Sequence, residues 1–330
     1  ASILAIIMMI FGVAIMLLNQ RSLKSRKNYT TVTGKSGQIS KINLGRTGRV
    51  VIAVILIIIT FFTSIFPIVS FAFETFLPNP GDYSFLYTGD PDNLTTKWWV
   101  TNENITENGM YGQQGILYND MIWHAYKGTI MVSVCCALTA GTIGTLIGYA
   151  VSKNRRSRWA NYVNSMAFLP YLMPSIAVGV AFFILFSNKY VNLFNTYALL
   201  IIVGTVKYIP FASRSSLNSM LQLSGEIEEA AIIQDIPWTK RMTRIIIPIQ
   251  KTSIISGYLL PFMTCLRELS LFILLCVQGF ILSTTLDYFD EMGLYAFSSG
   301  INLILIVTIL ICNALVNKAT GASLDKGIGG

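Results

Sequence analysis

Charge is scarce in this chain: Asp, Glu, Lys and Arg make up 12% of its 330 residues, against about a quarter in soluble domains. That scarcity, together with 53% apolar residues and a mean hydropathy of +0.59, excludes both an ordinary soluble domain and a disordered one. Histidine is nearly missing. His124 stands alone at an expected membrane boundary, without a second His or Cys beside it, so no histidine-built metal centre is expected. Cys135, Cys136, Cys265, Cys276 and Cys312 all fall in apolar stretches, which suits small buried hydrophobes and not a disulfide or thiolate framework. Catalytic signatures are lacking too: no HExxH, serine elbow or carboxylate pair lies at a membrane boundary. Gly34-Lys35-Ser36 ends like a phosphate-binding loop, but Tyr29 occupies the place of the required earlier Gly, and no strand-to-helix context surrounds it.

What the chain does have is apolar length. Seven stretches, roughly 1–18, 50–73, 128–151, 164–187, 197–213, 254–277 and 298–316, are long enough to cross about 30 Å of hydrocarbon, and predict an all-α, polytopic membrane helix bundle. The net charge of +8 points to membrane topology and not to nucleic acid, because the basic residues gather in particular loops. Loop 19–49 carries Arg21, Lys24, Arg26, Lys27, Lys35, Lys41, Arg46 and Arg49 and no acid, and loop 152–159 carries Lys153, Arg155, Arg156 and Arg158. Both are expected on the cytoplasmic side. The segment 74–127, with seven acids against Lys97 and Lys127, faces outward, as does loop 278–297 with Asp287, Asp290 and Glu291. Threading the remaining spans places 214–253 in the cytoplasm.

That cytoplasmic loop is patterned. Ser224 and Gly225 can open a helix whose first turn holds Glu226, Glu228 and Glu229, where negative charge suits the helix dipole. Pro237 restricts Ile236 and is expected to end this helix there, and a second helix starts at Pro237 with Lys240, Arg241 and Arg244 on its polar face. The expected product is two short helices joined by a sharp turn at the membrane surface. Arg267 and Glu268 fall within the expected sixth span, where charge is costly and marks a pathway or an intramembrane tie. Lys207, close to the cytoplasmic end of its span, is expected to snorkel. Gly141, Gly144 and Gly148 recur on one face of the third span, as close helix packing requires.

The run Glu229-Ala230-Ala231, then Asp235, Ile245 and Pro248, resembles the EAA loop of permease subunits in binding-protein-dependent ABC importers, E-A-A-x3-G-x9-I-x-L-P. Asp235 replaces the Gly and Ile247 the Leu; Asp tolerates the left-handed backbone that such a turn needs better than most residues do. Phe168-Leu169-Pro170-Tyr171 with Pro174 resembles the proline-broken span of these permeases. Leu266-Arg267-Glu268-Leu269-Ser270 resembles the corresponding stretch of their ferric-iron branch, and the run Asn28 to Lys35 resembles the joint of fused two-half permeases.

The resemblance implies a type I ABC importer permease fold, in which 1–18 is the last span of a preceding half. Residues 19–49 are then a basic cytoplasmic linker, 50–316 a six-span second half and 317–330 a cytoplasmic tail. It implies no catalytic residue and no bound cofactor or metal in this chain, with ATP and Mg held by a pair of ATP-binding subunits. The further partners it implies are a first permease half, fused or separate, an extracytoplasmic solute-binding protein and the lipid of a bacterial inner membrane. Glu229, Ala230, Ala231, Asp235, Ile245 and Pro248 would couple to the ATPase, and ferric iron would be the cargo. The same importer class also carries phosphorylated sugars, other anions and polyamines, and a seven-span receptor or scaffold would explain the span count without an ATPase.

Overall fold

The computed structural model describes residues 45–84, 87, 94–105, 112–188 and 190–320, with isolated positions between 7 and 15. The expected first span and most of the linker 19–49 lie outside the described residues, as does the tail from 321. Helices dominate what is described, and the only β-pairing among these residues is two isolated bridges, Ile105 with Gln113 and Ser187 with Asn192.

Among the described residues, four helices are long and apolar enough to cross a membrane: α1 (Gly45–Glu74), α3 (Asp120–Lys153), α6 (Tyr197–Gln222) and α11 (Tyr295–Thr320). Between α1 and α3 lies the short α2 (Lys97–Val100). Two further spans are bent pairs. α4 (Arg158–Leu172) and α5 (Ser175–Phe186) meet at 100°, and α8 (Trp238–Ile249) and α9 (Lys251–Leu266) meet at 87°. The short α7 (Gly225–Ile233) precedes α8, and α10 (Leu282–Glu291) precedes α11. Counting each pair once gives up to six spans; five of them overlie the expected spans 50–73, 128–151, 164–187, 197–213 and 298–316, while the pair 238–266 shares only 254–266 with the expected 254–277.

Two expected spans differ in shape. The stretch 164–187 is not straight, because Pro174 cannot continue a helical ladder and α5 restarts behind it. The stretch 254–277 is helical only to Leu266, and 267–281 folds into turns that reach α10.

The core is the packing of α3 along α6, with α9 against both. Glycines allow it: a Cβ on Gly144 would stand 2.5 Å from the Ala212 Cβ and 2.7 Å from the Ser213 nitrogen, and one on Gly148 would stand 2.7 Å from the Leu217 nitrogen. Close backbone approach of this kind drives helix association where lipid supplies no hydrophobic force. Serines complete the seam. Ser216 donates to the Thr145 carbonyl at 3.2 Å, Ser215 to the Ser253 carbonyl at 3.1 Å, and Ser219 to Gln250 Oε1 at 2.6 Å.

α3 is 34 residues long, about 51 Å at 1.5 Å per residue, and fixes which loops share an end. Near its start His124 Nδ1 lies 3.0 Å from the Gly279 carbonyl oxygen. Here the acidic segment folds down, with Trp98 buried and donating to the Leu77 carbonyl at 2.7 Å and packed against Phe297. At its far end Lys153 meets Glu228. Among the described residues, the acidic stretches around Trp98 and Leu282–Glu291 thus gather at one end of the bundle, and 152–159 and 224–250 with their basic residues at the other.

Candidate functional site

The elbow expected on the cytoplasmic side, residues 224–250, is built from local signals. Ser224 caps α7, its hydroxyl accepting from the Glu226 nitrogen at 3.4 Å. α7 ends at Ile233, three residues before the expected stop at Ile236. The cause is Asp235, whose φ is +50°. With Asp235 in the left-handed region, its N–H donates to the Ile232 carbonyl at 2.9 Å and the Ile236 N–H to the Ala231 carbonyl at 3.1 Å, the paired bonds that close a helix C-terminus. Asp235 therefore takes the geometry for which the EAA pattern has Gly. Pro237 then caps α8.

α8 widens to a π turn over Met242–Ile246, closed by the Ile247 N–H donating to the Met242 carbonyl. Pro248, which has no N–H to continue the ladder, follows immediately. The bend into the membrane comes at Gln250, two residues after Pro248. Ile245 is half-buried beside the buried Ile246, which packs with Met220, Met242 and Ile254.

The face that α7 turns inward is not the one the motif suggests. Glu229 and Ala230 are exposed, whereas Ala231 and Glu228 are each 5% exposed, three residues apart on one side of the helix. Glu228 is the residue that sequence reasoning passed over. Its Oε2 pairs with Lys153 Nζ, its Oε1 accepts from the Tyr149 hydroxyl at 2.5 Å, and Arg241 Nε approaches Oε1 at 3.8 Å. Burial alone would push this carboxyl up, but the hydrogen bonds from Lys153 and Tyr149 and the charges of Lys153 and Arg241 outweigh it and hold it below the usual carboxylate range. The i, i+3 spacing from Ala231 was the available signal; the charges that meet it come from α3 and α8, far away in sequence.

A second constellation lies deep in the bundle, at the break between α4 and α5. Lys207 does not snorkel: it is 8% exposed, and its Nζ donates to the Pro170 carbonyl at 3.1 Å and the Met173 carbonyl at 2.6 Å. The bend leaves these acceptors without helical partners, and within hydrocarbon such groups are tolerated only when protein satisfies them. Beside it, the Tyr208 hydroxyl donates to Glu268 Oε2 at 2.9 Å, and Glu268 Oε1 accepts from the Leu271 nitrogen at 3.1 Å. Arg267 and Glu268 thus do not sit mid-helix as expected, because α9 ends at Leu266; Glu268 ties the turn segment to α6, while Arg267 is exposed and unpaired among the described residues. No group of three or more His, Cys, Asp or Glu placed to hold a metal occurs among the described residues.

Residues 140–322, which take in both constellations, match the family described as binding-protein-dependent transport system inner membrane component. The chain belongs to that family. Among its relatives is the putative ferric transport system permease protein FbpB 1 of Haemophilus influenzae, 23% identical over 279 residues, 83% of this chain and 40% of that protein. The putrescine transport system permease protein PotI of Escherichia coli K12 is 26% identical over 204 residues, 59% of this chain and 68% of that one. In the crystal structure of a bacterial ABC transporter involved in the import of the acidic polysaccharide alginate, one chain superposes with a TM-score of 0.60 at 17% identity, covering 83% of this chain and 98% of that one. That likeness shows the fold. The chain spans about two-fifths of the length of the ferric relative. The expected fold class and inner-membrane location hold for this family member.

Proposed function

We propose that the chain is the translocation half of an ATP-driven, binding-protein-dependent importer, and that elbow 224–250 receives the ATP-binding subunits. The observation that carries this reading is the elbow itself: two short helices at the basic end of the bundle, joined through the left-handed Asp235 and continuous through α8 with the bent span. Its outer side presents the charged Glu229, the small Ala230 and, as an apolar tip, the 83% exposed Ile233. Asp235 sets the angle between the helices, Ile246 beside the half-buried Ile245 packs α8 against the bundle, and Ala231 sits on the inward face. Pro248 ends the π turn ahead of the bend. Closure of the ATPase pair around nucleotide would bias two arrangements of the spans through this contact.

The remaining partners follow from the same reading: a first permease half, joined to this one or separate, and an extracytoplasmic solute-binding protein at the acidic end. Arg267, exposed at the helix break, faces the pathway, and Glu268 holds the turn that presents it. Ferric iron is the favoured cargo, because the ferric relative aligns over more of this chain than the putrescine relative does. The putrescine relative, slightly more identical over its shorter span, supports a polyamine as the second reading.

Crosslinking in native membranes from Ile233→Cys, followed by mass spectrometry, tests the docking. Capture of an ATP-binding subunit is expected; an intact permease that captures none would reject the importer reading in favour of a receptor or scaffold. Ala231 is unsuitable as the probe because its side chain is buried.

A further inference from the structure

The elbow needs a stiff connection to the bundle if a push upon it is to move the spans, and α7 cannot supply that stiffness itself. It has nine residues, below the roughly 12–15 at which isolated helices become even marginal in water. Its inward face offers little apolar area, since only Ala231 is buried there beside Glu228. What fastens it is the buried carboxylate. Tyr149 and Lys153 reach Glu228 from successive turns of α3, and Arg241 reaches it from α8. Arg241 also donates from Nη1 to the Ile236 carbonyl at 3.0 Å, bracing the turn between the two elbow helices. Above the carboxylate, the rings of Tyr149 and Trp238 stand 6.2 Å apart. One side chain thus joins three elements. An apolar contact of the same size could slide, whereas a carboxylate held on both oxygens allows one register.

We propose that Glu228 is the positioning residue that makes the elbow and the inner end of α3 a single rigid body. A displacement of the elbow then passes to α3 and, through Gly144 and Gly148, to α6. This rests on the elbow being the ATPase dock. Unlike Glu229 of the motif, Glu228 has no surface to offer a partner, and its role lies within the chain.

The test uses the full complex in native membranes, with Cys135 and Cys312 replaced by Ser. Ser270→Cys, exposed beside the helix break, reports the pathway by its reaction rate with a membrane-impermeant maleimide, with and without Mg-ATP and vanadate. With Glu228 in place, trapping nucleotide should change that rate by about tenfold. In Glu228→Gln complexes that still yield the ATPase crosslink from Ile233→Cys, the change should disappear. A variant that keeps the full response would overturn the proposal. Should Glu228→Gln fail to assemble, Lys153→Gln, which spares the other partners of the carboxylate, decides by the same ratio. Loss of assembly in both would also overturn it, by leaving a folding role alone. If Ile233→Cys captures no ATPase even with Glu228 present, the importer reading fails instead.

Discussion

Gly144 stands where α3 and α6 touch, and its nearest prospective neighbours, the Ala212 Cβ and the Ser213 nitrogen, belong to a packed helix that cannot give way. Gly144→Ala is therefore expected to cost about 1–3 kcal/mol, seen as a lowered unfolding temperature in detergent. Gly225→Ala, with nothing nearer than Glu229 Oε1 at 3.7 Å, should leave that temperature nearly unchanged. Glu228 yields a pH prediction of definite sign. Its carboxyl is held below the usual range, so the stability it contributes is present above the ordinary carboxylate pKa and is lost as pH falls through the lowered value. Proteolysis at the elbow should accelerate in that acid window, and Glu228→Gln should be cut faster at neutral pH and lose most of the dependence. The glycine face of α3 was legible in the sequence because its 3.6-residue period is local. Glu228 was legible only in part, since its i, i+3 spacing from Ala231 puts it on that residue's face but the Lys153 that meets it comes from a distant helix.

Among the elements, the ends carry the information. Asp235 at φ +50° occupies a region that costs an ordinary L-residue about 1–2 kcal/mol. Asp235→Gly should therefore preserve or tighten the turn, and Asp235→Val should loosen it, checked by hydrogen exchange at the Asp235 and Ile236 amides. Proline leaves a recurring mark. The π turns Phe61–Ile65 and Met242–Ile246 each end just before a helix segment that has Pro as its second residue, Pro67 and Pro248. A single extra residue in the ladder accommodates the missing N–H; past Pro67 the helix runs on to Glu74, whereas past Pro248 it bends by 87° at Gln250. At Pro174 the chain breaks instead and bends by 100°. The sequence pointed to Pro174 and Pro248 and not to Pro67, and at Pro174 the break persists because another helix satisfies the freed carbonyls.

For the molecule as a whole, Lys207 is that satisfying partner. Lys207→Met would strand the Pro170 and Met173 carbonyls in an apolar interior at about 1–3 kcal/mol each. The expected result is a clear fall in the yield and thermal stability of assembled protein, with partial rescue by Lys207→Arg, measured by detergent size-exclusion chromatography and thermal unfolding. α1 stands at the opposite extreme. None of its first sixteen residues is buried, and it meets the bundle mainly where its outer part packs on α11. An apolar surface on all sides suits a helix facing lipid or another permease half.

Composition and loop charge alone determined that this is a polytopic helical membrane protein and where along the chain its patterned loop lies. These properties follow from transfer free energies that each segment has independently of the others. Tertiary structure decided that Lys207 turns inward to the broken span, that Arg267 and Glu268 lie beyond a helix end, and that Glu228 and not Glu229 is buried. Each of these outcomes depends on which acceptor or counter-charge a distant helix brings within about 3 Å. A hydrogen bond or ion pair in a low-dielectric interior is settled by that proximity, and no local pattern encodes it.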